Sequence, residues 1–242
     1  MRLSLLAQIL DLLCPRHCLI CGQRLLGEEE IICIACNLHL PRTNTWQQPE
    51  DNDMAKLFWH SIPVEKCCAL FHYHGHAPAS NLLYQLKYNQ HEEVGVGMGH
   101  LLANEGLRIQ FFDGIDAIVP IPLAPKRKRE RGYNQSEAIA LGLHEATKIP
   151  ILNKLVRRKT FVESQTHKNR WERNINVQDV FALSPDYAPG GSKAESLEHK
   201  HLLIVDDVCT TGATIISCCR ELMKATDSMK FSILTIGYAK GQ

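Results

Sequence analysis

Short apolar runs and helix-spaced apolar sets alternate along most of this chain. The run Leu202-Leu203-Ile204-Val205, closed by Asp206, is the clearest, and residues 68–73, 115–119 and 231–236 hold similar stretches. Runs of this length between polar turns predict strands buried on both faces of a parallel sheet. Between them, residues 77–88 set Leu82, Leu83 and Leu86 at helical spacing. Residues 94–107, 135–147 and 213–225 predict further helices, the first of these despite Gly95, Gly97 and Gly99. Strand and helix in alternation predict the α/β class, a parallel sheet flanked by helices.

The rest of the pattern is less regular. Leu5, Leu6, Ile9, Leu10 and Leu13 share one face of a leading amphipathic helix. Arg2 followed by leucines imitates a signal peptide, but Gln8 and Asp11 interrupt the run and no small-x-small cleavage site follows. No apolar stretch reaches membrane-spanning length, so a soluble, cytoplasmic chain with no membrane span is expected. Residues 42–60, polar with scattered Trp, predict a linker or surface excursion, and 184–198 a surface loop.

Composition adds two constraints. With 242 residues, 45% of them hydrophobic, the chain has room for one substantial domain and one small one. A net charge of +1 gives no global case for nucleic-acid binding and leaves only local clusters to consider. Of ten cysteines, four form Cys18-x2-Cys21 and Cys33-x2-Cys36, a double knuckle whose spacing suits four thiolates around one structural Zn2+. Gly22 permits the tight turn, and so small a segment has too little core to fold without the metal. A disulfide framework would need an oxidising compartment, for which no export signal speaks. Cys14 falls outside the spacing, while Cys67, Cys68, Cys218 and Cys219 read as core. The expected division is a zinc-ribbon-like module over 1–46, including the leading helix, and a second domain over 61–242.

The chemistry gathers after two of the strands. Asp206 and Asp207 close a buried strand, where carboxylates can accept hydrogen bonds from neighbouring sugar hydroxyls. Thr210, Thr211, Gly212, Ala213 and Thr214 then open a helix with backbone and hydroxyl donors suited to a phosphate monoester. Together they suit a ribose 5-phosphate. A generic strand-turn-helix is the bland alternative, though paired acids at a buried strand end are costly without a partner. Neither a GK[ST] loop nor a GxGxxG turn is present here.

After 115–119 comes a turn set by Pro120, Ile121, Pro122, Leu123, Ala124 and Pro125, then Lys126, Arg127, Lys128, Arg129 and Arg131 around Glu130. A solvated face is one reading of such a run. Its place at a strand's carboxyl end favours an anion site, with Asn134 and Gln135 as neutral donors. Pyrophosphate and nucleic-acid phosphate both fit, and the charges alone do not choose. Arg157, Arg158, Lys159, Thr160, Gln165, Lys168, Arg170, Arg173 and Asn174 suggest a basic lid or an exposed loop. His72, His74 and His76 alternate along a strand, as a polar surface or a second metal site.

Residues 202–214 resemble the phosphoribosyl-diphosphate (PRPP) motif of type I phosphoribosyltransferases at nearly every position. Cys209 departs, standing where that family places Val, Ile or Leu, and free Cys packs much as they do. The four-Cys module, VPIPL, KRKRERGYNQ, TFVESQTHKNRWERNINV, LLIVDDVCTTGAT and the triplet Leu86-Lys87-Tyr88 together resemble the ComF/GntX family of phosphoribosyltransferase-like competence proteins. The resemblance covers nearly the whole chain. It implies a type I phosphoribosyltransferase fold, a diphosphate loop at 120–123, a PRPP loop at 206–214, and Mg2+ bridging diphosphate and ribose hydroxyls. It also implies an association with DNA uptake and natural transformation, with a helicase or translocase of that apparatus as partner. Thr210 stands where purine-salvage members have a base-facing Asp, and orotate-type members lack that Asp as well. Three readings follow: a transferase with an unknown acceptor, a phosphoribosyl-binding adaptor without turnover, and a zinc-dependent single-stranded DNA-binding protein.

Overall fold

The apolar run at 202–205 becomes the centre of the sheet. The computed structural model describes residues 15–75, 77–88, 91–159 and 180–239. The leading helix, Cys14, His76 and the basic segment from Thr160 through Asn174 lie outside those residues. The strands are β1 (Val64–His72), β2 (Ala117–Pro120), β3 (Val156–Arg158), β4 (Phe181–Leu183), β5 (His201–Cys209) and β6 (Lys230–Tyr238). Four of them form one sheet in the order β1-β6-β5-β2, every pair parallel, with Ile204 opposite Ile233 on one side and Val119 on the other. β3 and β4 make a separate antiparallel pair.

Helices cover both faces, as a sheet of Leu, Ile and Val requires. They are α1 (Ile34–Leu38), α2 (Ser80–Tyr88), α3 (Glu92–Leu107), α4 (Pro125–Arg131), α5 (Gln135–Thr147) and α6 (Ala213–Met223). Leu203 and Val205 point into a core with Leu82, Leu86, Leu102, Ile139 and Leu143; Leu202 and Ile204 point to the other face, with Ile215, Cys218 and Leu222. Burying each such aliphatic side chain contributes about 1.5–3 kcal/mol. The glycines that weaken α3 as a helix are explained by its partner. A Cβ on Gly99 would lie 2.3 Å from the Ile139 carbonyl, and one on Gly142 2.0 Å from that of Val96, so α3 and α5 meet backbone to backbone.

Several expectations change. β5 continues past the acids to Cys209, and β1 starts at Val64, because parallel pairing to β6 carries both strands beyond their apolar runs. β2 starts two residues later than expected and ends one later, and α2 begins at Ser80 after a turn at 77–79. The basic run is a helix: Pro125 enters its first turn and Gly132, at φ 81°, ends it. Residues 42–60 are no linker. Met54, Ala55 and Phe58 are buried under the sheet, and Thr43 and Thr45 place buried hydroxyls on the Ala69 carbonyl. Short 3-10 turns over Asn44–Trp46 and Ala55–Leu57 hold these side chains, and turns that short leave no periodicity to read. The stretch 184–198 forms two 3-10 turns and buries Leu197. Cys18, Leu25, Ile31, Ile32 and Leu40 of the knuckle region share the core of Met98 and Leu102. Among the described residues no helix is long and apolar enough to cross a membrane.

Candidate functional site

The carboxyl ends of β2 and β5 are neighbours, and the segments leaving them enclose a polar cavity of about 190 Å3. Asp206 and Asp207 form one wall. Ser136 Oγ donates to Asp206 Oδ1 at 3.1 Å, and the Asp207 backbone N–H donates to the same oxygen at 2.9 Å. Lys87 Nζ, from the last turn of α2, lies 3.1 Å from Asp207 Oδ2. Burial, reinforced by the Asp207 charge, pushes the Asp206 carboxyl up to about 7 against the pull of these donors. The acid pair is thus held where a cation or hydroxyl donors would relieve it.

Cations line the same cavity. Arg127, Arg131 and Arg158 line the cavity with Ile121, Pro122, Leu123, Asn134 and Gln135. Burial, then the nearby Arg127, lowers the Arg158 pKa, with Asp206 opposing. Its guanidinium also lies 5.4 Å from the Phe181 ring centroid. Gln135 is 2% exposed; its Oε1 accepts from Arg131 Nη1 at 2.7 Å, while its buried Nε2 makes no hydrogen bond of normal geometry and only approaches the Tyr133 phenol. An orphan buried donor costs about 1–3 kcal/mol, which an acceptor in the cavity would recover. Asn134 spends its amide on the fold instead, donating to the Ile121 carbonyl and capping α5 through Ser136 N–H. Pro120 ends the buried β2, and Lys126 is exposed and not among the lining residues.

The turn after β5 forms an adjoining hollow of about 40 Å3, bounded by Thr210, Thr211, Gly212, Ala213 and Thr214. Thr214 lines both spaces. Gly212, at φ 75°, precedes α6, whose first N–H, that of Ala213, donates to Thr211 Oγ1 at 3.5 Å. The fully buried Phe58 ring supports the turn: a Cβ on Gly212 would come within 2.8 Å of it.

Folding therefore brings both expected halves together and adds four residues. Lys87, Ser136 and Phe58 were given no role by their sequence context, and Arg158 only as part of a lid. A lone Lys ending an apolar helix signals Lys87 weakly. Ser136 and Phe58 carry no local signal, because their partners lie 70 residues or more away in sequence for Ser136 and on another element for Phe58.

The second cluster is Cys18, Cys21, Cys33 and Cys36, whose sulfurs all lie within 4.8 Å of one another and could hold a metal ion. The Cys21 and Cys33 sulfurs are 3.8 Å apart. Tetrahedral thiolates at about 2.3 Å from zinc stand about 3.8 Å from one another, so the donor set and spacing fit. Gly22 takes φ 73° in the first knuckle, and its N–H donates to the Cys18 carbonyl at 2.8 Å. Burial opposes ionisation of Cys18, but backbone donors of Cys21, Cys33 and Ile20 outweigh it and lower the thiol to about 7. Glu29 braces the second knuckle, accepting from the backbone N–H groups of Leu26 and Ile34 at 2.7 Å each. His72 and His74 stand 6.4 Å apart, ring to ring, and among the described residues they join no metal-binding group. Cys67, Cys68, Cys218 and Cys219 are fully buried, as expected of core residues.

Residues 110–239 match the phosphoribosyl transferase domain family. The chain is 26% identical to the DNA utilization protein YhgH of Escherichia coli strain K12, over 86% of this chain and 84% of that protein. It is 29% identical to Competence protein F of Haemophilus influenzae, over 61% of this chain and 62% of the relative. Competence protein ComFC of Bacillus subtilis is 30% identical over 49% of this chain and 43% of its own length.

Proposed function

The chain belongs to the phosphoribosyl transferase domain family, as a ComF-type phosphoribosyltransferase-like protein, and on that premise we propose that it binds PRPP and passes its phosphoribosyl group to an acceptor, releasing pyrophosphate. The observation that carries this reading is the presence of two acids and three arginines around one small cavity that adjoins the turn opening α6. Asp206 and Asp207 take the ribose hydroxyls, and the 210–214 turn takes the 5-phosphate. Arg127, Arg131 and Arg158 take the diphosphate, with the orphan Gln135 amide adding a neutral donor. As the diphosphate departs, these fixed cations stabilise the charge it gathers. Mg2+ bound with PRPP would neutralise diphosphate oxygens and is compatible with the acid pair. Lys87 must then exchange Asp207 for the ligand or the metal. Zn2+ in the four-Cys cluster would be structural, its binding free energy supporting a segment with little core of its own.

Relatives named for competence and DNA utilization support a role in the handling of DNA; the proposed setting of that role is the cytoplasm, with a helicase or translocase of the uptake apparatus as partner. Calorimetric titration with PRPP and Mg2+, followed by a pyrophosphate-release assay against a panel of acceptors, tests the reading. Saturable binding with release in at least one mixture is expected. Binding without release in every mixture reduces the chain to a ligand-binding adaptor, and no binding overturns the reading. Lys126 and Arg129, exposed and outside the cavity lining, favour a second, additional role as contacts for single-stranded DNA phosphates. Salt-dependent DNA binding that disappears in the Lys126→Ala, Arg129→Ala double variant would support it, and no binding at low salt would end it.

A further inference from the structure

Gly132, Tyr133 and Asn134 join α4 to α5, and Tyr133 stands behind the acid cavity, outside its lining. Its ring is buried in the core that also holds Leu86, Val94 and Ala138. Its hydroxyl reaches across to α2. Tyr133 Oη donates to the Leu86 carbonyl at 2.5 Å and lies 3.2 Å from the carbonyl of His91, the residue capping α3.

Leu86 belongs to the last turn of α2, where helix carbonyls outrun their intrahelical donors. The bonded carbonyl is part of the peptide that carries Lys87, whose ammonium lies 3.1 Å from Asp207 Oδ2. A lysine stem is long and flexible, so where its ammonium can stand is set first by where its backbone is held. The phenol holds that backbone.

The same oxygen faces the cavity lining from behind. One O–H has one proton, and with it spent on Leu86 the phenolic lone pairs remain for the approaching Gln135 amide. Burial raises the phenol to about 12, against the pull of Gln135 and Arg131, so at neutral pH it stays a neutral donor. A phenylalanine would fill the place of the ring, but only the hydroxyl makes these connections.

We propose that Tyr133 is a positioning residue of the acid cavity: its hydroxyl fixes the Leu86–Lys87 peptide so that Lys87 stands on Asp207 before ligand binds and reaches the diphosphate afterwards. The second half deepens, and rests on, the PRPP reading above; the first half does not need it.

The test uses the full chain. PRPP with Mg2+ is titrated by calorimetry into wild type, Tyr133→Phe, Lys87→Met and the double variant. Tyr133→Phe is expected to weaken binding about fivefold where Lys87 is present and by no more than about twofold where it is not. A hydroxyl that only braced the fold would cost the same in both backgrounds, so a fivefold loss in both, or none in wild type, overturns the proposal. A second readout needs no ligand. The lysines are reductively methylated with a 13C label, and the Lys87 resonance is assigned by its loss in Lys87→Met. In wild type it should stand apart from those of exposed lysines, and in Tyr133→Phe it should move toward them. A wild-type signal already among the exposed lysines, or one that Tyr133→Phe leaves in place, overturns the proposal, whatever urea denaturation shows of stability. Failure of wild type to bind PRPP overturns the earlier reading instead; it appears in the first titration and leaves the Lys87 resonance to test the phenol.

Discussion

The acid cavity and the cysteine cluster both concentrate ionisable groups, but they are held in opposite ways. Asp206 and Asp207 ride on β5, whose neighbours on both sides fix the backbone; Ser136 and Lys87 hold them from two other segments, and Phe58 supports the turn that follows at Gly212. The thiols sit on two knuckles and the start of α1, joined by turns, with Glu29 and a few backbone bonds between them. Preorganisation by the fold costs stability at the cavity, visible in an acid raised to about 7 and an orphan amide. The cluster is tied to the fold by Cys18, Leu25, Ile31, Ile32 and Leu40 in the shared core, and a metal on its sulfurs would add a cross-link between the two knuckles. One region is held by the sheet and its helices; the other brings together four sulfurs that could hold a metal ion.

Metal removal should separate the two most strongly. Chelation is expected to cost the knuckle region several kcal/mol of local stability. Amide hydrogen exchange over residues 16–40 should then accelerate while 202–209 stays protected, and simultaneous loss of protection in both would break the contrast. Next in size is Phe58→Ala, which empties a fully buried aromatic site beneath Gly212. A loss of about 3–5 kcal/mol in urea denaturation is expected, together with weaker PRPP binding as the turn loses its support. Asp207→Asn should leave stability within about 1 kcal/mol, since Lys87 is a partly exposed partner. It should nonetheless weaken PRPP–Mg2+ binding at least about tenfold by calorimetry.

The contrast also predicts a pH slope. Burial and Asp207 raise Asp206 from 3.8 to about 7, so between those values the folded chain keeps a proton that the unfolded chain has released. Stability should therefore fall as pH rises from about 4 to about 7 and level off above that. Asp206→Asn should remove that part of the slope in urea titrations across the range. His100, whose ring nitrogens each lie 2.8 Å from a carboxylate of Glu30 or Glu145, adds a slope of the same sign at higher pH. Burial opposes its protonation, but the two carboxylates outweigh burial and raise its pKa above 6.5; that stability is present at low pH and lost as pH climbs through the folded value. His100→Gln should flatten it.

What could be read in advance follows the same division between local and distant causes. The strands, the acids after Val205, the Thr-Gly turn and the double CxxC are contiguous patterns, and each states its chemistry within a dozen or so residues. Residues 42–60 resisted reading because Met54 and Phe58 are ordered by the sheet they cover, not by neighbours in sequence. Gly95 and Gly99 looked like helix defects until α5 lay against them. Lys87, Ser136 and Arg158 reach the cavity from separate elements, so their convergence exists only in the folded chain. The basic run was legible as charge but not as geometry: α4 turns Arg127 and Arg131 to the cavity and leaves Lys126 out.

The most direct measurement is a crystal structure of the full chain with PRPP and Mg2+. The 5-phosphate is expected on the 210–214 turn, the ribose hydroxyls on Asp206 and Asp207, the diphosphate against Arg127, Arg131 and Arg158, and Lys87 parted from Asp207. A saturated crystal with the cavity empty, or with the diphosphate held away from those arginines, would contradict it.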